Sequence, residues 1–99
     1  MITITAVIRA KPGTEGTMAD ALLAVAENVR ASEPGTLGFY VSQKLDDPCV
    51  FTTYERFADQ AAMDAHNGSA AVARFFETAQ PILDGPVILE IGREMSSKP

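Results

Sequence analysis

The sequence predicts one α+β domain, in which helices pack on a four-stranded antiparallel sheet. Three observations support this fold class. Four segments alternate apolar and polar residues with a period of two, which is typical of half-buried strands. Other segments repeat apolar residues at intervals of three and four, which is typical of amphipathic helices. The chain has 99 residues, 46% of them apolar and 21% charged, which is the size and composition of a single globular domain.

The first strand and the first helix are separated by a clear stop signal. Ile and Ala alternate mainly with Thr over residues 2–10, and Lys11-Pro12-Gly13 ends this strand because proline lacks a ladder N–H. A helix is predicted over about residues 14–31 and ends at Glu33-Pro34-Gly35, since the residue before proline avoids the α region. Its apolar face is formed by Met18, Leu22, Val25 and Val29.

The next two alternating segments form a predicted hairpin. The first segment places Leu37, Phe39 and Val41 on the side that faces the helices. The second runs from Val50 to Phe57 and is rich in β-branched and aromatic residues, which favour strands. The turn between them lies at Asp46-Asp47-Pro48.

Two capped helices and a last strand complete the domain. Asp59 is predicted to cap a short helix that ends near His66, before Asn67-Gly68. Ser69 is predicted to cap a third helix, and residues 87–91 form the last strand. The apolar face of the third helix is formed by Val72, Phe75, Phe76 and Ala79.

The element order β-α-β-β-α(α)-β is that of the ferredoxin-like split arrangement, with the helices on one face of the sheet. We expect the domain to span residues 1–95 and residues 96–99 to form a short disordered tail. The third and fourth strands are apolar or aromatic on both sides. The sheet therefore has more apolar surface than its own helices can cover, and pairing with a second copy of the chain is expected.

Charge and composition exclude several classes of partner. Thirteen acidic and eight basic residues give a net charge of −5, which repels phosphate backbones and anionic lipids. No segment approaches the roughly 20 apolar residues that cross a membrane, and no signal peptide is visible. The single Cys49 cannot form an internal disulfide or a cysteine-cluster metal site. We therefore expect a cytoplasmic protein that binds neither nucleic acid nor membranes.

Several short motifs, in order over about 90 of the 99 residues, resemble those of the antibiotic biosynthesis monooxygenase family. This is a family of small dimeric α+β-barrel proteins that includes quinol monooxygenases. Phe57 departs from the pattern, because the family often has Trp there. The residues that carry the resemblance are Lys11-Pro12-Gly13, Glu33-Pro34-Gly35, Phe51, Tyr54-Glu55-Arg56-Phe57, Asp59, Ala62, His66, Ser69 and Phe76.

The resemblance implies a homodimer in which two sheets join into a barrel, with a small cavity in each protomer. Most family members of known activity oxidise phenols, anthrones or hydroquinones with O2 and no cofactor. Others isomerise small phosphorylated sugars or degrade haem. The haem-binding members use an Asn on the first strand and a Trp on the second helix. This chain has neither, so haem degradation is not expected.

The residues themselves also give no sign of a cofactor or a metal. The chain has no GxGxxG motif, no P-loop and no carboxylate–histidine metal pair at helical spacing. A cofactor-independent oxygenase needs a substrate that is itself the reductant, an apolar pocket, and one base or donor that creates and stabilises a phenolate.

His66 is the first candidate for that base. Histidine titrates nearest to neutral pH, and His66 adjoins the apolar face of its helix. The family has a recurrent histidine at the matching position. The alternative is a structural histidine near a helix C-terminus, bonded to backbone carbonyls there.

Tyr54 and Glu55 are the other catalytic candidates. Tyr54 could donate a hydrogen bond to a substrate oxygen, although aromatic residues in strands more often serve packing or an interface. Glu55 could accept a hydrogen bond from a substrate hydroxyl. Its alternative is a salt bridge with Arg9, Arg56, Arg74 or an arginine of a partner chain.

A further group of residues is predicted to bind the substrate. Arg74 could clamp an anionic substrate, although a solvated helix arginine is its alternative. The aromatic members are expected mainly in the core, and each could also line a pocket. The predicted binding residues are Tyr40, Phe51, Phe57, Arg74 and Phe76.

The leading hypothesis is a homodimeric, cofactor-independent monooxygenase of small aromatic, hydroquinone or anthrone-type substrates, with O2 as the oxidant. Two alternatives stay open. One is an isomerase of a small carbonyl compound, which would also depend on His66. The other is a non-catalytic dimeric module that binds a small ligand or a protein.

Overall fold

A computed structural model describes residues 1–99 and confirms the predicted α+β class and element order. The sheet has the strand order β2-β3-β1-β4, and every neighbouring pair is antiparallel. Three helices cover one face. The elements are β1 (Ile2–Arg9), α1 (Glu15–Ser32), β2 (Thr36–Gln43), β3 (Val50–Phe57), α2 (Gln60–Asn67), α3 (Ala70–Ala79), a 3₁₀ turn (Gln80–Ile82) and β4 (Ile88–Arg93).

The main core lies between α1, α3 and the centre of the sheet. The four apolar positions predicted for α1 are its four buried residues, and they pack with alternate residues of β1. Leu22 is 3% exposed and the neighbouring Leu23 is 57% exposed, which shows how one-sided the helix is. None of the helices combines the length and the apolar character that crossing a bilayer requires.

Both predicted N-caps are present, and they fix where α2 and α3 begin. The Asp59 carboxylate accepts a hydrogen bond from the backbone N–H of Ala62 at 2.9 Å. The Ser69 hydroxyl accepts one from the N–H of Val72 at 3.2 Å. Because α2 ends at Asn67 and Ser69 already caps α3, the two helices meet at a sharp corner with His66 in the last turn of α2.

The prediction for Leu37 is wrong. Thr36 pairs with Phe57 and Gly38 pairs with Arg56, so β2 carries one extra residue at this point. The bulge removes Leu37 from the regular alternation and leaves its side chain 49% exposed. Beyond the bulge Phe39 and Val41 pack against the core as predicted.

The surplus apolar surface is concentrated at β4, where every residue is exposed. Leu89 and Ile91 pair with the buried Ala6 and Ile4, so they point toward the helix side, yet they are 49% and 57% exposed. Ile88, on the other side, is 56% exposed. We call the sheet side opposite the helices the open face. Its residues include Thr3, Thr5, Val7, Tyr40, Ser42, Tyr54, Arg56 and Ile88.

Candidate active site

A cavity of about 80 Å³ lies between the helices and the sheet, and we call it the inner cavity. Eleven of its fifteen lining residues are hydrophobic. The four others are Thr53, Glu55, His66 and Asn67, which come from β3 and the end of α2. The cavity is therefore an apolar space with a polar, ionisable end.

Glu55 reaches this cavity because of the pleat of β3. Successive side chains of a strand point to opposite faces, and Glu55 shares the helix side with Phe51, Thr53 and Phe57. Glu55 is only 6% exposed. A buried carboxylate needs hydrogen-bond partners, and the Thr53 hydroxyl donates one to Glu55 Oε2 at 2.7 Å.

His66 supplies the second partner of Glu55 and is itself 4% exposed. Its Nε2 lies 3.2 Å from Glu55 Oε1, and its Nδ1 lies 2.7 Å from Glu33 Oε1. Its ring packs against those of Phe39 and Phe57, with centroid separations of 5.6 and 5.3 Å. A histidine donates from both ring nitrogens only when it is protonated, so this arrangement suits the imidazolium form.

Glu33 lies at the C-terminal end of α1, where the helix dipole disfavours a negative charge. Its carboxylate is compensated by three donors. Besides His66, the Thr36 hydroxyl donates to Oε1 at 2.8 Å and the Asn28 amide donates to Oε2 at 3.0 Å. Glu33, His66 and Glu55 thus form a carboxylate–imidazole–carboxylate triad.

The triad raises the pKa of His66. Burial by itself lowers that pKa, but the hydrogen bonds and charges of Glu55 and Glu33 outweigh burial and bring it above the 6.5 of an ordinary histidine. The two carboxylates lie on opposite sides of the ring rather than around a common point. No group of three or more His, Cys, Asp or Glu side chains in the chain is arranged to hold a metal ion.

Residues 1–78 match the family model described as antibiotic biosynthesis monooxygenase. The chain belongs to the antibiotic biosynthesis monooxygenase family. Among curated proteins, no sequence matches it significantly. The resemblance seen in the sequence, which rests on turn, strand and helix motifs, is therefore confirmed at the level of the family.

Solved structures share the fold at low sequence identity. A candidate antibiotic biosynthesis monooxygenase from Nitrosomonas europaea is 22% identical, with a TM-score of 0.88, and the match covers 97% of this chain and 100% of that one. One from Caulobacter crescentus is 21% identical, with a TM-score of 0.89 over 96% and 90%. PA3566 from Pseudomonas aeruginosa is 25% identical, with a TM-score of 0.87 over 96% and 94%.

Three of the predicted site residues of this family member meet at the inner cavity. His66 and Glu55 form its polar end, and Phe76 lies at its edge, 43% exposed. Phe57 packs against the His66 ring without lining the cavity, and Phe51 belongs to the main core. The two phenylalanines of β3 therefore pack in the protein interior and do not line the cavity.

The remaining predicted residues lie elsewhere. Tyr40 and Tyr54 are on the open face, where their rings stack with centroids 6.4 Å apart. The Tyr54 hydroxyl donates to Glu94 Oε2 at 3.3 Å. Arg74, on α3, lines a different surface depression, beside Ala21 and Ala24 of α1. None of these three lines the inner cavity.

The alternative for His66 is wrong, and the alternative for Glu55 is wrong for the arginines of this chain. His66 is not satisfied by backbone carbonyls at the helix end, because both of its ring nitrogens face carboxylates. Glu55 forms no salt bridge with Arg9, Arg56 or Arg74, and a salt bridge with an arginine of a partner chain stays a prediction. Arg56 follows Glu55 on the strand, so it points to the open face and pairs with Glu94 at 2.7 and 2.8 Å.

The sequence interpretation missed Glu33, Thr53 and Asn67. Glu33 was assigned only to a turn, although an acidic residue where a helix ends is electrostatically unfavourable and indicates a partner elsewhere. Thr53 was detectable, because the period of two places it with Phe51, Glu55 and Phe57 on the core side of β3. Asn67 gave no signal beyond ending α2.

The first prediction concerns the pH dependence of stability. Because the folded-state pKa of His66 is raised, its contribution to the free energy of unfolding is fully present below about pH 6.5 and is lost as the pH rises through the raised value. Replacing His66 by Gln leaves two buried carboxylates without their shared cation, which costs about 3 kcal/mol in the acidic part of this range.

Urea denaturation of the wild type and of His66→Gln between about pH 6 and pH 9 measures this difference. The gap between the two proteins should be largest at pH 6 and shrink toward pH 9. Because His66 is the only histidine, groups that titrate alike in both proteins cancel when their free energies of unfolding are subtracted. A gap that stays constant across the range contradicts the raised pKa.

Proposed function

We propose that this protein is a cofactor-independent monooxygenase that oxidises small hydroquinone- or anthrone-type aromatic compounds with O2. The observation that supports it is the Glu55–His66 pair at the end of an otherwise apolar cavity, in a member of a monooxygenase family. An apolar wall holds an aromatic ring, and the ionisable end meets its hydroxyl group.

The size of the inner cavity favours substrates with one ring. A dry cavity of roughly 150 Å³ can hold benzene, and the inner cavity, at about 80 Å³, is smaller. Any ring must therefore extend toward the edge near Phe76 and Leu89, which are 43% and 49% exposed. A single hydroquinone ring needs a smaller extension than a three-ring anthrone, so we rank hydroquinones first.

The charge at the cavity favours neutral substrates. Neither Lys nor Arg lines it, and Glu55 is one of two carboxylates that share the single cation His66. A carboxylated or phosphorylated ligand would meet net negative charge without a compensating cation. The same argument counts against the phosphorylated sugars on which some family members act.

The reaction balances without any other reductant. One hydroquinone and one O2 give one hydroxyquinone and one water, and the substrate supplies all four electrons that O2 accepts. Glu55 keeps free lone pairs beyond its bonds to Thr53 and His66, and it accepts the proton of the substrate hydroxyl. The positive charge on His66 stabilises the phenolate and the reduced oxygen species that follows it.

The second prediction is that oxygen uptake depends on Glu55. With hydroquinone as substrate, Glu55→Gln should lower kcat by about 10²–10⁴-fold, because a positioned base is lost. Glu77→Gln is the matched control: Glu77 is exposed on α3 and should leave the rate unchanged. An oxygen electrode measures both against the non-enzymatic rate. A rate no higher with the folded wild type than without protein, for hydroquinones and anthrones alike, contradicts the proposal.

The triad also fits a second candidate function, an isomerase of a small neutral carbonyl compound. Isomerisation moves a proton between carbon atoms, and Glu55 and His66 are proton-transfer groups at an apolar cavity. Turnover without oxygen separates the two functions, since a monooxygenase stops under anaerobic conditions. A non-catalytic ligand-binding module would differ from both, because His66→Ala would leave its ligand affinity nearly unchanged.

We infer that the protein works as a homodimer joined through its open face. Tyr40, Tyr54 and Ile88 expose large apolar groups there, and isologous pairing of this face would cover them.

The third prediction is therefore that sedimentation gives twice the 10.6 kDa chain mass. Ile88→Glu should shift the protein toward the monomer, and Leu45→Glu, in the exposed β2–β3 turn, should not. A wild type that sediments as a monomer contradicts the dimer.

We also place this activity in the cytoplasm. The free Cys49 is compatible with a reducing compartment. Fractionation of cells that express the protein with its own termini tests this, and recovery outside the cytoplasm would contradict it.

A further inference from the structure

The triad connects two different spaces. Glu55 lines the inner cavity but not the surface depression that is lined by the end of α1, the start of β2 and residues of α2. Glu33 lines that surface depression, which we call the outer depression, but not the inner cavity. His66 lines both. The imidazole ring therefore forms part of the wall between the cavity and the protein surface.

The wall around the ring is tightly packed. The rings of Phe39 and Phe57 both pack against His66. Next to it, a Cβ atom on Gly35 would come within 2.8 Å of Ala62 Cβ, so the start of β2 and α2 are in close contact. No buried side-chain nitrogen or oxygen in the structure lacks a hydrogen-bond partner. The polar connection through this wall is the line from Glu55 through His66 to Glu33.

We propose that Glu33 is the outer end of a proton relay, which carries protons between the inner cavity and solvent through His66. This inference rests on the proposed function and goes beyond it by giving a role to a residue that does not touch the substrate. The two transfers span 3.2 Å, from Glu55 Oε1 to Nε2, and 2.7 Å, from Nδ1 to Glu33 Oε1. Both lie near hydrogen-bond length.

The proton steps balance over one reaction cycle. The substrate O–H bond breaks and its proton passes to Glu55. In molecules whose ring is neutral with its proton on Nδ1, Glu55 gives its proton to Nε2, which makes the ring the imidazolium that the two carboxylates favour. Nδ1 then gives its own proton to Glu33 and on to water. This outward passage leaves the ring in its other tautomer.

The formation of water at the end of the cycle restores the ring. A proton enters through Glu33 to Nδ1, the Nε2 proton returns to Glu55, and Glu55 delivers it to the reduced oxygen, which takes its second hydrogen from the substrate and leaves as water. One outward and one inward passage thus return His66 to its first tautomer without rotation of the ring. This matters because the ring is buried and each of its nitrogens lies against a carboxylate.

The other charged side chains near the site do not connect His66 to the protein surface. Asp59 and Asp64 of α2 bond to the Ala62 N–H and to Gln60, and neither lines the inner cavity. Arg56, the basic side chain next to Glu55 in sequence, points to the open face. Glu33 is therefore the charged group that links His66 to the surface, and its side chain is 13% exposed.

The fourth prediction compares Glu33→Gln with Glu27→Gln, the same change on the exposed face of the same helix. Glu33→Gln should lower kcat for oxygen uptake at least tenfold with little change in KM, because the substrate does not touch Glu33. Raising the concentration of a small buffer such as imidazole should restore part of the rate. Glu27→Gln should show neither effect. A Glu33→Gln enzyme with wild-type kcat in dilute buffer overturns the relay.

Hydrogen exchange of the His66 ring tests the relay without turnover. In protein labelled with ¹⁵N-histidine and free of substrate, exchange of the Nε2 proton with solvent should be slower in Glu33→Gln than in the wild type or Glu27→Gln. An unchanged Nε2 exchange rate, in a variant whose spectrum shows the native fold, overturns the relay. If the wild type takes up no oxygen but the exchange slows as expected, the proposed oxidation fails and the relay stands.

Discussion

Two buried carboxylates on either side of one buried imidazole are the constraint on which the site depends. Glu33 and Glu55 are held at 2.7 and 3.2 Å from the two nitrogens of His66, and each needs that cation in a place with little water. Leaving one charge of such a group unpaired costs about 3–5 kcal/mol, which is a large share of the stability of a small domain. The end of α1, the middle of β3 and the corner after α2 are therefore tied together by charge as well as by packing.

Burying the three charged groups of the triad costs desolvation free energy, which apolar side chains in the same place would not. Buried ion pairs are often no more stabilising than apolar residues of the same volume, and a domain of 99 residues has a modest core. The triad also lies against a cavity that lacks other charged groups. A costly charged arrangement beside an apolar cavity is better explained by proton transfer than by stability, and the shared fold does not by itself determine the function.

The fold was predictable from the sequence, because its signals are local. Each of these signals depends on residues close together in the chain. They are the apolar face of α1, the caps at Asp59 and Ser69, and the alternation in β1 and β3. The bulge at Leu37 was not predictable, since it arises from pairing between β2 and β3. The site was predictable in part: His66 and Glu55 stood out by residue type, whereas Glu33 lies 33 residues from His66 and gave only a turn signal.

The protonation of the His66 ring tests this account most directly. ¹⁵N NMR of the labelled histidine reads both ring nitrogens in the folded protein, and His66 is the only histidine in the chain. At about pH 6.5 an ordinary histidine is half protonated. The account predicts that His66 is more than half imidazolium there, with hydrogens on both nitrogens. A ring that is mostly neutral at that pH would contradict the paired carboxylates as its stabilising partners and remove the basis for the proposed proton chemistry.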